Sequence, residues 1–125
     1  MNSATQVVQF QGPVGVLEGL QDEPTEGSFK GIAVIAHPHP LFGGTMQNKV
    51  VQTLAKAFVQ NGWRAIRFNF RGVGASAGVY DEGRGELDDL MAVIAQSQDQ
   101  SAAANGLALA GFSFGAFVTS HAAVQ

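Results

Sequence analysis

The run LALAGFSFG, residues 107–115, decides how this chain is read. Leu107 to Ala110 form a short apolar stretch, as a strand covered on both faces does, and Gly111 to Gly115 fit the pattern G-x-S-x-G. The physical content of that pattern is a sharp turn from strand into helix. Its serine takes strained backbone angles, and the flanking glycines avoid clashes between neighbouring Cβ atoms. The segment that follows, AFVTSHAAV, is compatible with a helix, so Ser113 has the setting of a nucleophile. A second match, Gly74-Ala75-Ser76-Ala77-Gly78, runs instead into the polar, glycine-broken GVYDEGRG. Ser76 therefore reads as a loop residue.

Working outward, strands and helices alternate from residue 32. Ile32 to Ala36 is a continuous apolar run, the mark of a strand in a parallel sheet. Val50, Val51, Leu54, Ala55 and Phe58 recur at helical spacing, and Asn61-Gly62 supplies a C-terminal stop. WRAIRFNF, residues 63–70, alternates as a strand does, with Ile66, Phe68 and Phe70 on one side. Leu87, Leu90, Met91 and Ile94 then predict a helix with Asp88 and Asp89 turned outward. The order β-α-β-α-β, followed by a helix start, predicts an α/β fold with a mostly parallel sheet and helices on both faces. Ahead of it, Gln6 to Phe10 and Val14 to Leu20 flank Gln11-Gly12-Pro13 and predict an antiparallel hairpin. QDEPTEGSFKG, residues 21–31, reads as a solvated loop.

Composition bounds the function. A chain of 125 residues that is 46% hydrophobic and 14% charged has enough apolar material for the core of one small domain, and no internal repeat or linker divides residues 1–125. A formal charge of −3 with scattered Lys and Arg argues against nucleic acid or an anionic membrane surface as partner and for small-molecule chemistry. The absence of cysteine excludes a disulfide framework and a thiolate metal site. No metal or cofactor is expected. The start, MNSATQVVQF, lacks the features of a signal peptide, and no run of about 18 apolar residues occurs, so a cytoplasmic protein is the default expectation.

A second element, HPHPLFGGT at residues 37–45, follows the first buried strand directly. AHPHPLFGGTMQNKVV, NFRGVGASAG and LALAGFSFGA, in that order and at fitting separations, resemble the α/β-hydrolase superfamily, in particular its small, lidless prokaryotic serine hydrolases. The resemblance runs from about Val14 to the end of the sequence and implies a hydrolase of the carboxylesterase kind. In that family a serine attacks an acyl carbonyl, a histidine takes its proton and an aspartate orients the histidine. Carried onto this sequence, it implies Ser113 as nucleophile, an ester or similar small acyl substrate, and an oxyanion hole formed by the Phe114 N–H and one N–H of the 37–45 loop. Pro38 and Pro40 have no N–H, which leaves His39, Leu41 and Phe42; His39 is favoured, with Leu41 next.

The sequence also departs from that pattern. The family order is Ser, then Asp or Glu, then His, and no carboxylate residue follows Ser113. His121 lies eight residues on, about 12 Å away along a helix, and reads as an ordinary helix residue. About five strands are found where the family has eight. These departures predict an incomplete α/β-hydrolase domain corresponding to the N-terminal half, with an exposed edge on the 106–111 strand that self-associates. His37 is a conceivable base, since its strand neighbours the one that ends at Gly111, and Asp81, Glu82 and Glu86 suit a solvated loop and helix N-terminus. Two other readings compete: a fragment without activity of its own, and a dinucleotide-binding module suggested by Gly72 to Ala77, which fits G-x-G-x-x-A.

Overall fold

All five strands read from the sequence join one sheet in the computed structural model, which describes residues 5–24, 30–98 and 106–124. The elements are β1 (Thr5–Gly12), β2 (Gly15–Asp22), β3 (Gly31–Ala36), a single 3₁₀ turn (Pro40–Phe42), α1 (Lys49–Gln60), β4 (Trp63–Phe68), α2 (Arg84–Gln98), β5 (Gly106–Gly111) and α3 (Phe114–Ala122). The sheet order is β1-β2-β4-β3-β5. β3 pairs in parallel with β4 and β5, whereas β1 with β2 and β2 with β4 are antiparallel. The expectation of a mostly parallel sheet is therefore met in only half of the pairings. The N-terminal hairpin does not stand apart but extends the same sheet through β2.

The strand faces follow the apolar pattern. Ile32, Val34, Ala36, Ile66, Phe68 and Phe70 pack under Leu90, Val93 and Ile94 of α2 and Phe114 and Val118 of α3. Ile35 and Ala65 face the other way, onto Val51 and Ala55 of α1. β3 is buried along its whole length because it lies between two strands and two helical layers. Asn48 caps α1 through its side-chain oxygen, which accepts from the Val50 and Val51 N–H groups, and Gly62, at φ 89°, turns the chain out of the helix as the Asn-Gly stop predicts.

Three polar positions differ from the sequence reading. β2 runs on through Gln21 and Asp22, so the solvated loop begins later than expected; residues 25–29 of that loop lie outside the described residues. Asp22 is buried against Arg67, 3.1 Å away. Asp88 is exposed as expected, but Asp89 is fully buried. Its carboxylate accepts from the Arg71 N–H and from the Arg71 guanidinium at 2.9–3.2 Å, and holds that guanidinium above its usual pKa. α2 thus grips the glycine-rich loop after β4 through one ion pair. Helical spacing placed Asp89 outward because Arg71 is not visible to a local pattern. The dinucleotide reading also fails here: that fingerprint needs a helix to open on the glycine-rich loop, and α2 opens only at Arg84.

Removing Asp89 strands a buried guanidinium. Asp89→Ala is expected to cost about 3–5 kcal/mol in urea denaturation, and the exposed Asp88→Ala less than about 0.5 kcal/mol. Equal effects would show that the ion pair does not hold the loop.

Candidate active site

The sheet order sets the site. β3 lies beside β5 with Ala36 opposite Gly111, so the loops leaving these strands emerge side by side. Ser113 stands between β5 and α3 with φ 60° and ψ −118°, a region sparsely populated by residues with a side chain. Such a conformation costs of order 1–3 kcal/mol and persists only where its surroundings enforce it. The surroundings here are backbone. A Cβ on Gly111 would come within 2.5 Å of the Gly115 carbonyl carbon, and one on Gly115 within 2.2 Å of the Ala36 carbonyl oxygen. The two glycines therefore let the strand end, the helix start and the end of β3 touch main chain to main chain. Ser113 itself is exposed and makes no capping hydrogen bond with its side chain.

Beside it, the 37–45 loop is held by hydrogen bonds within itself. His39 precedes the 3₁₀ turn, Pro40 opens it and Gly43, at φ 82°, ends it. The Leu41 N–H donates to His39 Nδ1 at 3.1 Å, and the Phe42 and Gly44 N–H groups donate to the His39 carbonyl. Because Nδ1 accepts, Nε2 of the neutral ring carries the proton and donates to the Tyr80 hydroxyl, 3.2 Å away. Partial desolvation, with Glu86 and Glu82 nearby, holds the Tyr80 phenol above its usual pKa. The His39 ring also lies 5.0 Å from Phe114, and Tyr80 6.0 Å from the same ring. Of the three loop donors the sequence left open, Leu41 and Phe42 have spent their N–H groups within the loop. Among the described residues the N–H groups of His39 and of Phe114, the first residue of α3, have no partner. Tyr80 was missed in the sequence, where it is one aromatic in a polar stretch.

The remaining candidates are structural. His37 is fully buried: Nδ1 donates to the Pro38 carbonyl at 2.7 Å, and Nε2 accepts the Phe70 N–H at 3.1 Å. Both nitrogens are occupied, and burial pushes its pKa from 6.5 down to about 4. It ties β3 to the strand beyond it and is no base for Ser113. His121 is exposed, with Nδ1 bonded to the Phe117 carbonyl one turn back. Ser76 is buried, donating to the Asn69 carbonyl and accepting the Glu18 N–H. Glu86 does not sit in solvent as expected; it is fully buried at the start of α2 and accepts the Asp81 and Gly83 N–H groups. Glu18 and Asn69, which the sequence did not single out, join the glycine-rich loop to the segment ahead of α1 at Met46. Glu18 accepts from the Asn69 side chain and the Ala75 N–H, while Asn69 Oδ1 accepts the Met46 N–H. Among the described residues no cluster of three or more His, Asp or Glu is placed to hold a metal ion, and no helix is long and apolar enough to cross a membrane.

Comparison with known proteins bears on this geometry. The family model described as X-Pro dipeptidyl-peptidase (S15 family) matches residues 23–125. An α/β serine hydrolase homologue from Coxiella burnetii is 46% identical and superposes with a TM-score of 0.91 over 98% of this chain and 58% of its own. A lidless α/β serine hydrolase from Xanthomonas campestris is 41% identical, with a TM-score of 0.92 over 99% and 57%. An uncharacterized protein of Rickettsia prowazekii is 42% identical over 89% of this chain and 46% of its own length. The chain spans about half the length of these relatives.

A buried imidazole held near pKa 4 gives a pH prediction. The folded pKa lies below the unfolded 6.5, so the unfolded chain binds the extra proton first as pH falls. This contribution to stability is complete above about pH 6.5 and is lost between there and about pH 4, by about 3 kcal/mol in all. Imidazole ¹⁵N spectra at pH 6 should show His37 protonated at Nδ1 alone. Titration of His37 at or above pH 6 would contradict its burial.

Proposed function

The chain belongs to this S15 family of α/β serine hydrolases, and on that premise we propose that Ser113 is the nucleophile of an acyl-enzyme hydrolase acting on esters or similar small acyl compounds. The observation that supports this is the enforced backbone of Ser113 at the β5–α3 turn, with its hydroxyl exposed. The Oγ attacks the acyl carbonyl, the alcohol leaves with a proton, and water then frees the acid and restores the serine. The oxyanion that forms takes its hydrogen bonds from the Phe114 and His39 N–H groups. Leu41 drops out of that role because its N–H is held by the His39 ring. We assign the proton-accepting histidine and its orienting acid to sequence outside these 125 residues, since His37 and His121 are otherwise bonded and the His39 ring holds its own loop.

A cavity of about 390 Å³ opens between the Pro40–Thr45 loop and the glycine-rich loop, with Val79 and Tyr80 in its lining, but Ser113 does not line it. In a protein that joins these residues to a segment supplying acid and base, Ser113→Ala should lower kcat/KM for p-nitrophenyl acetate by about 10⁴-fold or more, and Ser76→Ala should leave turnover in place with reduced stability. Equal losses from both would sink the assignment. Ala-Pro-p-nitroanilide is the competing substrate that the family's name suggests, and a preference for it would replace the ester reading.

We also propose that the 125 residues alone associate through β5. That strand pairs only with β3 among the described strands, and Leu107 at its start is 38% exposed. Unpaired N–H and C=O groups on an apolar strand template further pairing. Sedimentation should show dimers or larger species at tens of micromolar, with amide exchange at Leu107 to Ala110 slowing as concentration rises. A monomer at every concentration would reject this.

A further inference from the structure

A cleft among the described residues lies away from Ser113, beside α1. Its volume is about 590 Å³, and its charged lining consists of Lys49, Lys56, Arg67 and Asp22. The fold opens it because α1 packs over β3 and β4, while β2 continues the sheet beyond β4 on the far side from β3. Arg67 stands on β4 and Asp22 at the end of β2. Lys49 and Lys56 are seven residues apart, two helical turns, which sets them nearly in line and roughly 10 Å apart along the axis. Gln52 and Thr53 lie between them, and Val59, three residues past Lys56, adds apolar surface.

Charge is what distinguishes this cleft. It gathers three of the seven Lys and Arg residues of a chain whose net charge is −3. Neither lysine has an ion-pair or hydrogen-bond partner among the described residues. Arg67 is buried to 6% exposure; its guanidinium reaches Asp22 at 3.1 Å and the Met46 carbonyl at 3.3 Å, and its Nε–H has no partner. Asp22 is committed twice over, since it also accepts from the Thr5 hydroxyl. One carboxylate thus faces three cations, and the low dielectric around a buried guanidinium extends its field into the cleft.

We propose that this cleft binds a small organic dianion, one acidic group on Lys49 and the other on Lys56, with the chain between them lying along the exposed Gln52 and Thr53. The acidic groups are carboxylates or phosphates, which ammonium groups recognise alike as point charges. Gln52 and Thr53 supply hydrogen bonds, and Arg67 with Asp22 forms the wall behind. This site is independent of Ser113 and of any reading of the chemistry there.

Titrating the ¹⁵N-labelled chain with α,ω-dicarboxylates from succinate to azelate, at low ionic strength, tests it. Suberate and azelate should saturate in the millimolar range, at least fivefold tighter than succinate or inorganic phosphate, with shifts confined to 49–60, Asp22 and Arg67. Lys49→Gln and Lys56→Gln, both at exposed positions, should each weaken binding at least fivefold, while Lys30→Gln should not. The matching bisphosphonates distinguish the two sources: tighter binding by them marks phosphate, looser binding carboxylate. No saturation below about 50 mM, affinity independent of chain length, or equal weakening by Lys30→Gln would overturn the proposal.

Discussion

Main-chain contact between the start of α3 and the end of β3 is the constraint on which the rest of this structure depends. At Gly115 there is no room for a Cβ beside the Ala36 carbonyl, and at Gly111 none beside Gly115. With the helix this close to the strand end, Ser113 makes the turn between them at positive φ. The same contact sets Phe114 against the 37–45 loop, so the strained serine and the two N–H groups without partners among the described residues lie together at the C-terminal ends of β3 and β5. Strain in the turn and packing under it are one feature seen from two sides.

Around this contact, buried polar groups hold the loops rather than perform chemistry. His37 joins β3 to the Phe70 N–H, Ser76 and Glu18 fasten the glycine-rich loop to β2, and Asp89 anchors that loop to α2 through Arg71. Each of these groups has its hydrogen-bonding capacity largely filled, as a buried polar group must if it is not to cost stability. Full satisfaction also removes them as catalysts. A histidine with both nitrogens bonded and a serine that both donates and accepts have nothing left for a substrate. Ser113 differs from Ser76 in this respect more than in its sequence pattern.

Charge follows a similar division. On the α2 side the arginine meets its carboxylate in full, and Arg71 with Asp89 is neutral and locked. On the α1 side the compensation is partial, because the antiparallel hairpin contributes a single aspartate to a wall that α1 lines with two lysines. The asymmetry arises from the sheet order: the hairpin widens the sheet past the reach of α1 and leaves a furrow where the helix ends its cover. An acidic chain thereby carries a local cationic surface.

The sequence by itself determined the order of strands and helices, the faces that carry Ile66, Phe68 and Phe70, the capped end of α1 at Asn61-Gly62, and the serine of the strand-to-helix turn. All of these are local: periodicity, caps and the steric demand of G-x-S-x-G act within a few residues, so they survive in a one-dimensional reading. Only the tertiary structure decided that the hairpin joins the sheet antiparallel to β4, that Asp89 points inward, that His37 is spoken for at both nitrogens, and that Leu41 gives its N–H to its neighbour's ring. Arg71 meets Asp89 across 18 residues and Asn69 meets Glu18 across 51, and a polar side chain shows no preference for a partner until the sheet brings one within hydrogen-bonding distance. Burial of a charge is decided by what lies opposite, and strand order settles what lies opposite.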